Sequence, residues 1–200
     1  MTDFYKILDE RKSIRQFKSK PPSDEVIKKI IKKATLGPNA HNSQPWKFIV
    51  LKNDSVKENL IKKMGEKYRT DLQDEGKPSE EIEKAVSHSF KKFTNPPILI
   101  IPCFDKNAMP KFKNEEFKRN EYVMGVQSVS SATTYLILAA SAEGLGTCWY
   151  CAALFAKEII QEHLKLDADL EPQSIIALGY PDENPKKPKR KDLSDVIIQI

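Results

Sequence analysis

Cysteine is scarce. The chain holds three, Cys103, Cys148 and Cys151. An odd, low count argues against a disulfide framework and suits a reducing compartment. Histidine is as rare, and His41, His88 and His163 lack the paired spacing of a metal site. No apolar run approaches the length needed to cross a membrane. Met1 to Ser13 alternates charge with apolar residues, whereas a secretory leader needs a continuous apolar core. A cytoplasmic protein is the expectation. No internal repeat and no low-complexity segment is visible. Glycine numbers seven. Its one tight pair, Gly144-Leu145-Gly146, has Trp149 where a dinucleotide fingerprint needs a third glycine. That turn also ends a helix instead of opening one, which argues against a Rossmann phosphate loop.

What is present suits a globular protein. Of the 200 residues, 40% are hydrophobic and 30% charged, enough apolar matter for one core. A single domain over 1–200 is expected. The net charge of +5 has two readings. One is attraction to nucleic acid or another anionic surface. The other is a few cations placed to hold a phosphorylated small molecule. Placement must decide.

Periodicity gives the elements. A short helix is expected over Phe4 to Glu10. A second follows Ser23, which caps it, with Asp24 and Glu25 in the first turn where negative charge suits the dipole. Val26, Ile27, Ile30, Ile31 and Ala34 share its apolar face, and Gly37-Pro38 ends it. Helices are expected over Asp54 to Asp71, Glu80 to Phe93 and Glu121 to Glu143. The last carries many small residues, which allow close helix packing in a core or a dimer interface. Strands are expected over Lys47 to Leu51, Ile98 to Phe104, Gly146 to Cys151, Ser174 to Gly179 and Val196 to Ile200. Without regular strand–helix alternation, the class is α+β rather than doubly wound. An end as apolar as Val196 to Ile200 needs covering, and a partner subunit is a reasonable candidate.

Two clusters carry chemistry. Arg11, Lys12, Ser13 and Arg15 put three cations and a hydroxyl in five positions. On extended backbone, alternate side chains share a face and converge on an anion. The same stretch also reads as a solvated basic turn after a helix. The second cluster runs from Gly37 to Trp46. Asn39, Asn42 and Gln44 offer donor and acceptor on one group, as a planar heterocycle with an N–H/C=O edge requires. The alternative is a turn in which Asn39 and Asn42 bond their own backbone. That leaves Gln44 and the rigid Pro45-Trp46 unexplained.

Together, Arg11-Lys12-Ser13-Ile14-Arg15-Gln16-Phe17 and Gly37-Pro38-Asn39-Ala40-His41-Asn42-Ser43-Gln44-Pro45-Trp46 closely resemble the paired N-terminal motifs of the FMN-dependent nitroreductase family. Order, spacing and the following strand agree. The resemblance continues through Gln127 to Ala140 and Glu143 to Trp149. It resumes at Leu178-Gly179-Tyr180-Pro181 and at the basic segment Lys187 to Leu193, where Asp192 replaces the usual proline. Asn53 to Pro96 matches nothing specific.

The resemblance implies a mostly antiparallel sheet flanked by helices. It also implies an intertwined homodimer with the C-terminal strand exchanged, and FMN as cofactor. Arg11, Lys12, Ser13 and Arg15 would hold the FMN phosphate and ribityl chain, completed by Lys189 and Arg190. Pro38, Asn39, Ala40, Asn42 and Gln44 would line the isoalloxazine from the second subunit. Trp149, Tyr150 and Cys151 would pass along the ring. His88 and Lys91 lie where some members contact the pyrimidine edge. The implied reaction is ping-pong hydride transfer from NAD(P)H to a small acceptor such as a nitroaromatic, a quinone or free flavin. No side chain is an obligatory acid or base, so no catalytic residue is named.

Other readings compete. Cys148-Trp149-Tyr150-Cys151 has C-x-x-C spacing but follows a helix and a Gly-Leu-Gly turn, the wrong context for a thioredoxin. On a strand its two thiols face opposite sides, which disfavours a disulfide. Lys186 to Lys191 resembles a nucleic-acid patch and supports a basic binding protein without catalysis. No aromatic residue is interleaved there, however, and the other charges are well mixed. A third reading keeps the flavin but gives it a specialised reaction, such as removal of iodide, cleavage of a flavin ring, or dehydrogenation of thiazolines or peptides, and no residue selects among these.

Overall fold

The computed structural model describes residues 4–200. Its elements are α1 (Phe4–Glu10), α2 (Asp24–Ala34), β1 (Trp46–Leu51), α3 (Asp54–Asp74), α4 (Ser79–Thr94), β2 (Ile98–Asp105), α5 (Glu115–Ala142), β3 (Gly146–Tyr150), α6 (Lys157–Leu164), β4 (Leu170–Pro172) and β5 (Ile175–Gly179). The strands form one antiparallel sheet in the order β1-β2-β5-β3, with β4 added beside β2.

The apolar run of β2 has a simple cause. Alternate side chains of a strand point to opposite faces. Leu99, Ile101 and Cys103 join a core with α3, α4 and α6. Ile98 and Ile100 join a second core with α2 and α5. The sheet is thus covered on both sides, and its central strand is apolar throughout. Burial of this kind pushes the Cys103 thiol up to about 12, which leaves it unreactive at neutral pH.

Most expected elements are present. Ser23 caps α2, its hydroxyl accepting from the Val26 N–H. Helix α5 begins earlier than its periodicity suggests. Asn114 caps it through the Phe117 N–H, and Glu115 and Glu116 fill the first turn. The charged stretch that follows hides this start. Helix α5 also corrects one expectation, because an 18-residue window of it has mean hydropathy 1.3 and length enough to cross a membrane. Leu136, Ile137 and Ala140 on it are buried against the sheet and α2.

The strand expected over Val196 to Ile200 is not formed. A strand exists only by pairing, and this segment has no partner among the described residues. Its apolar side chains stand in solvent, with Ile198 89% exposed. Helix α6 and strand β4 were not foreseen. Helix α6 stops at Lys165, which takes the left-handed conformation (φ 52°) usually given to glycine, so the usual stop signal is missing.

Glu171 on β4 ties three elements together. Its Oε1 accepts from Tyr122 Oη of α5 (2.5 Å), Lys157 Nζ of α6 (2.6 Å) and Gln173 Nε2 (2.9 Å). Burial opposes its ionisation, but these bonds outweigh burial and hold its carboxyl below the usual range. A depressed pKa contributes stability above the unfolded value, and that stability is lost as pH falls through the folded value. Glu171→Gln should therefore cost about 1–3 kcal/mol at neutral pH. The gap to the unaltered protein should close on acidification below pH ~4, as read from melting curves across pH.

Candidate active site

Three segments distant in sequence meet at one end of the sheet. After α1 the chain runs as an extended arm. Ser13 bridges Thr147 of β3, and the Ile14 N–H donates to the Thr147 carbonyl at 2.9 Å. Phe17 bridges Pro181, and the Lys18 N–H donates to Tyr180 O at 3.0 Å. Ile14 and Phe17 are the buried anchors. With them turned inward, Arg11, Lys12, Ser13 and Arg15 are left facing outward.

The close approach of the arm to β3 depends on Gly146. A Cβ there would lie 2.8 Å from Ile14 Cβ. Gly146→Ala is expected to push the arm from the strand at a cost of about 1–3 kcal/mol. A melting curve should shift down by roughly 2–10 °C.

The arm faces the late segment that follows β5. Between them lies an open groove of about 670 Å³. Arg11, Lys12, Ser13 and Arg15 form one wall, and Pro185, Lys186, Lys187, Pro188 and Arg190 the other. Five of these are site residues expected from the sequence, and four, Pro185, Lys186, Lys187 and Pro188, are not. Lys189 lies on the same exposed segment but is not one of the walls. So many cations around one concavity, with Asp9 the only carboxylate lining it among the described residues, make a site for a multiply charged anion. Guanidinium groups match phosphate oxygens two at a time.

The amide-rich loop sits elsewhere in the same chain, against α5. Asn39 is committed to the loop itself. Its Oδ1 accepts from the Gln44 N–H at 2.8 Å and its Nδ2 donates to Gly37 O at 3.3 Å. The reading of Asn39 as a turn former therefore holds. The Ala40 N–H donates to Ser128 Oγ at 3.0 Å, and Gly37 packs so tightly that a Cβ would lie 3.0 Å from Ser131 Oγ. His41, Asn42 and Gln44 all adopt positive φ, at 57°, 50° and 48°. Left-handed non-glycine residues are costly and concentrate at functional sites. The strain leaves Pro38, Asn42 and Gln44 exposed. His41 Nε2 lies 3.3 Å from the buried Glu121 Oε2, an ion-pair distance without hydrogen-bond alignment.

Strand β3 lies beside the arm, which bridges it at Thr147. Trp149 packs toward α2 and α5, and Tyr150 toward the opposite core, 5.0 Å edge-on to Phe93. Lys92 Nζ lies 4.8 Å from the Tyr150 ring centre. Burial first, then the neighbouring Cys148 thiol, push the Tyr150 phenol well above its ordinary value, while Arg15 pulls the other way. Tyr150 is thus within electrostatic reach of the basic arm. Cys148 is buried on β3, whereas the strand ends at Tyr150 and the exposed Cys151 opens a 3-10 turn (Cys151–Phe155), so the two free thiols do not share a strand as expected. His88 and Lys91 are exposed on α4, outside the groove.

The chain resembles known proteins in sequence and in fold. The sequence model of the nitroreductase family matches residues 8–180. A protein of Archaeoglobus fulgidus, provisionally named an NADH dehydrogenase/NAD(P)H nitroreductase, is 30% identical over 90% of this chain and 87% of its own. The iodotyrosine deiodinase of Thermotoga neapolitana is 25% identical over 100% of this chain and 98% of its own. Among solved structures, a provisionally named nitroreductase from Desulfovibrio desulfuricans, in complex with FMN, superposes with a TM-score of 0.73. It is 21% identical and covers 100% of this chain and 98% of its own.

Proposed function

The chain belongs to the nitroreductase family, and on that premise we propose that it is an FMN-dependent NAD(P)H oxidoreductase that acts as a homodimer. The observation that carries the proposal is the groove between the N-terminal arm and the late basic segment. Its cations suit a phosphate monoester.

The residues present fit the cofactor. Arg11, Lys12, Ser13, Arg15 and Arg190 would hold the phosphate, with Lys189 beside them. Pro38, Asn42 and Gln44 are exposed and would meet the pyrimidine edge of the ring. Asn39 and Ala40 would act by holding the loop in its strained form. The main chain of Trp149, Tyr150 and Cys151 would run beside the ring. The chemistry FMN supplies when bound is hydride exchange at N5, first from NAD(P)H and then to a small acceptor such as a nitroaromatic, a quinone or free flavin. Lysine and arginine charge in this region favours bound anions and a negative ring.

A second subunit would bring loop and groove together, since no residue of the loop is among those that line the groove. Strand β1 is paired on one edge by β2. The outer edge of β3 is taken at Thr147 by the arm. The exposed Val196 to Ile200 segment of a partner would pair with the free edge of β1 and cover its own apolar side chains.

Steady-state kinetics with NADH or NADPH against a quinone tests the order of events. Parallel double-reciprocal lines are expected, because donor and acceptor use one place in turn. Intersecting lines would contradict a ping-pong sequence. A second reading changes only the acceptor. The full-length match to a deiodinase favours loss of halide from an aromatic ring, and iodide release from iodotyrosine under reducing conditions would support it.

A further inference from the structure

Glu183 and Asn184 follow the Gly-Tyr-Pro turn and stand within the basic cluster. Glu183 is half-buried. Its Oε1 accepts from the main-chain N–H of both Arg15 (2.5 Å) and Gln16 (3.1 Å). Asn184 Oδ1 accepts from the Lys12 ammonium. The Asp182 N–H adds a bond to Gln16 O at 3.0 Å. Three successive residues thus fasten the arm, and the chain then continues as the groove's opposite wall.

A carboxylate among cations opposes an anionic ligand by simple repulsion. Its retention here has a geometric counterpart. One oxygen on two consecutive amides fixes the path of the main chain at Arg15 and Gln16. That path sets where the side chains of Arg11, Lys12 and Arg15 point relative to Arg190. A cluster already ordered loses less freedom when its ligand arrives.

We propose that Glu183 is a positioning residue for the phosphate end of the cofactor, pinning the arm to the closing segment so that cations of both converge. The proposal rests on the flavin-phosphate reading of the groove.

FMN and riboflavin differ by the phosphate alone, so their affinity ratio isolates this effect. Both would be titrated by fluorescence into the flavin-free full chain. The unaltered protein should prefer FMN. Glu183→Ala should weaken FMN by about tenfold or more while riboflavin stays within about twofold. Glu183→Gln should restore most of the preference, because its side-chain oxygen still accepts from both amides.

Equal weakening of both flavins by Glu183→Ala would mark a general structural role and overturn the proposal. So would FMN binding that is unchanged or tighter. If the alanine chain does not fold, Glu183→Asp serves instead. It keeps the charge but loses reach, so the preference for FMN should fall, and an unchanged preference overturns the proposal. An unaltered protein that binds neither flavin, or binds both equally, would instead overturn the flavin-phosphate reading itself, whatever the variants do.

Discussion

Replacing Arg11 and Arg190 together by alanine should leave the chain folded and weaken its affinity for FMN by at least about a hundredfold. The two side chains come from opposite walls of one groove. A hydrogen bond to a charged group contributes roughly 1.5–3 kcal/mol, and two such losses amount to two or more powers of ten. Neither side chain is in the core. Arg11 is half-buried and Arg190 exposed, so the melting temperature of the flavin-free chain should hardly move. Each single variant should lose about tenfold or more, and added salt should narrow the difference because it screens exposed charge. Fluorescence titration with FMN checks the three statements about affinity, and a melting curve of the flavin-free chain checks the fourth. Variants that keep full affinity would mean that the groove does not hold the phosphate.

Deleting Leu193 to Ile200 should turn the proposed dimer into a monomer and abolish stable flavin binding. Leu193, Val196, Ile197 and Ile198 are all more than half exposed in the single chain. Covering an aliphatic side chain of this size stabilises by roughly 1.5–3 kcal/mol, so several together suffice to hold two chains. Light scattering after gel filtration reads the mass. The loss of flavin should accompany the loss of the dimer, because the amide loop and the groove would then no longer be brought together. A truncated chain that stays dimeric and retains flavin would remove the segment from the interface.

Much of this was legible in the sequence because the informative residues lie close together. Arg11 to Arg15 declares a convergent cationic face within five positions, and the arm is extended as that reading requires. The run from Ile98 to Phe104 declares a strand covered on both faces, and it has one core on each side. What stayed hidden depends on partners far away in the chain. Glu183 meets Arg15 across 168 residues, and no local pattern marks it. Lys57 reads as one more solvated lysine of α3. It is 2% exposed and donates to Pro96 O at 2.8 Å, holding the entry to β2. Asn39 suits both a ring contact and a turn in the sequence, and only the fold shows its amide satisfied within the loop. The Val196 to Ile200 segment has strand composition without a strand, since pairing depends on an edge and not on propensity alone.

The visible spectrum of the purified, desalted protein, taken before and after anaerobic NADH or NADPH, tests at once whether the chain holds flavin and whether a nicotinamide reduces it. A flavin spectrum that bleaches with at least one donor and returns when a quinone or nitroaromatic is added is the expected result. A colourless protein that does not take up added FMN would contradict it.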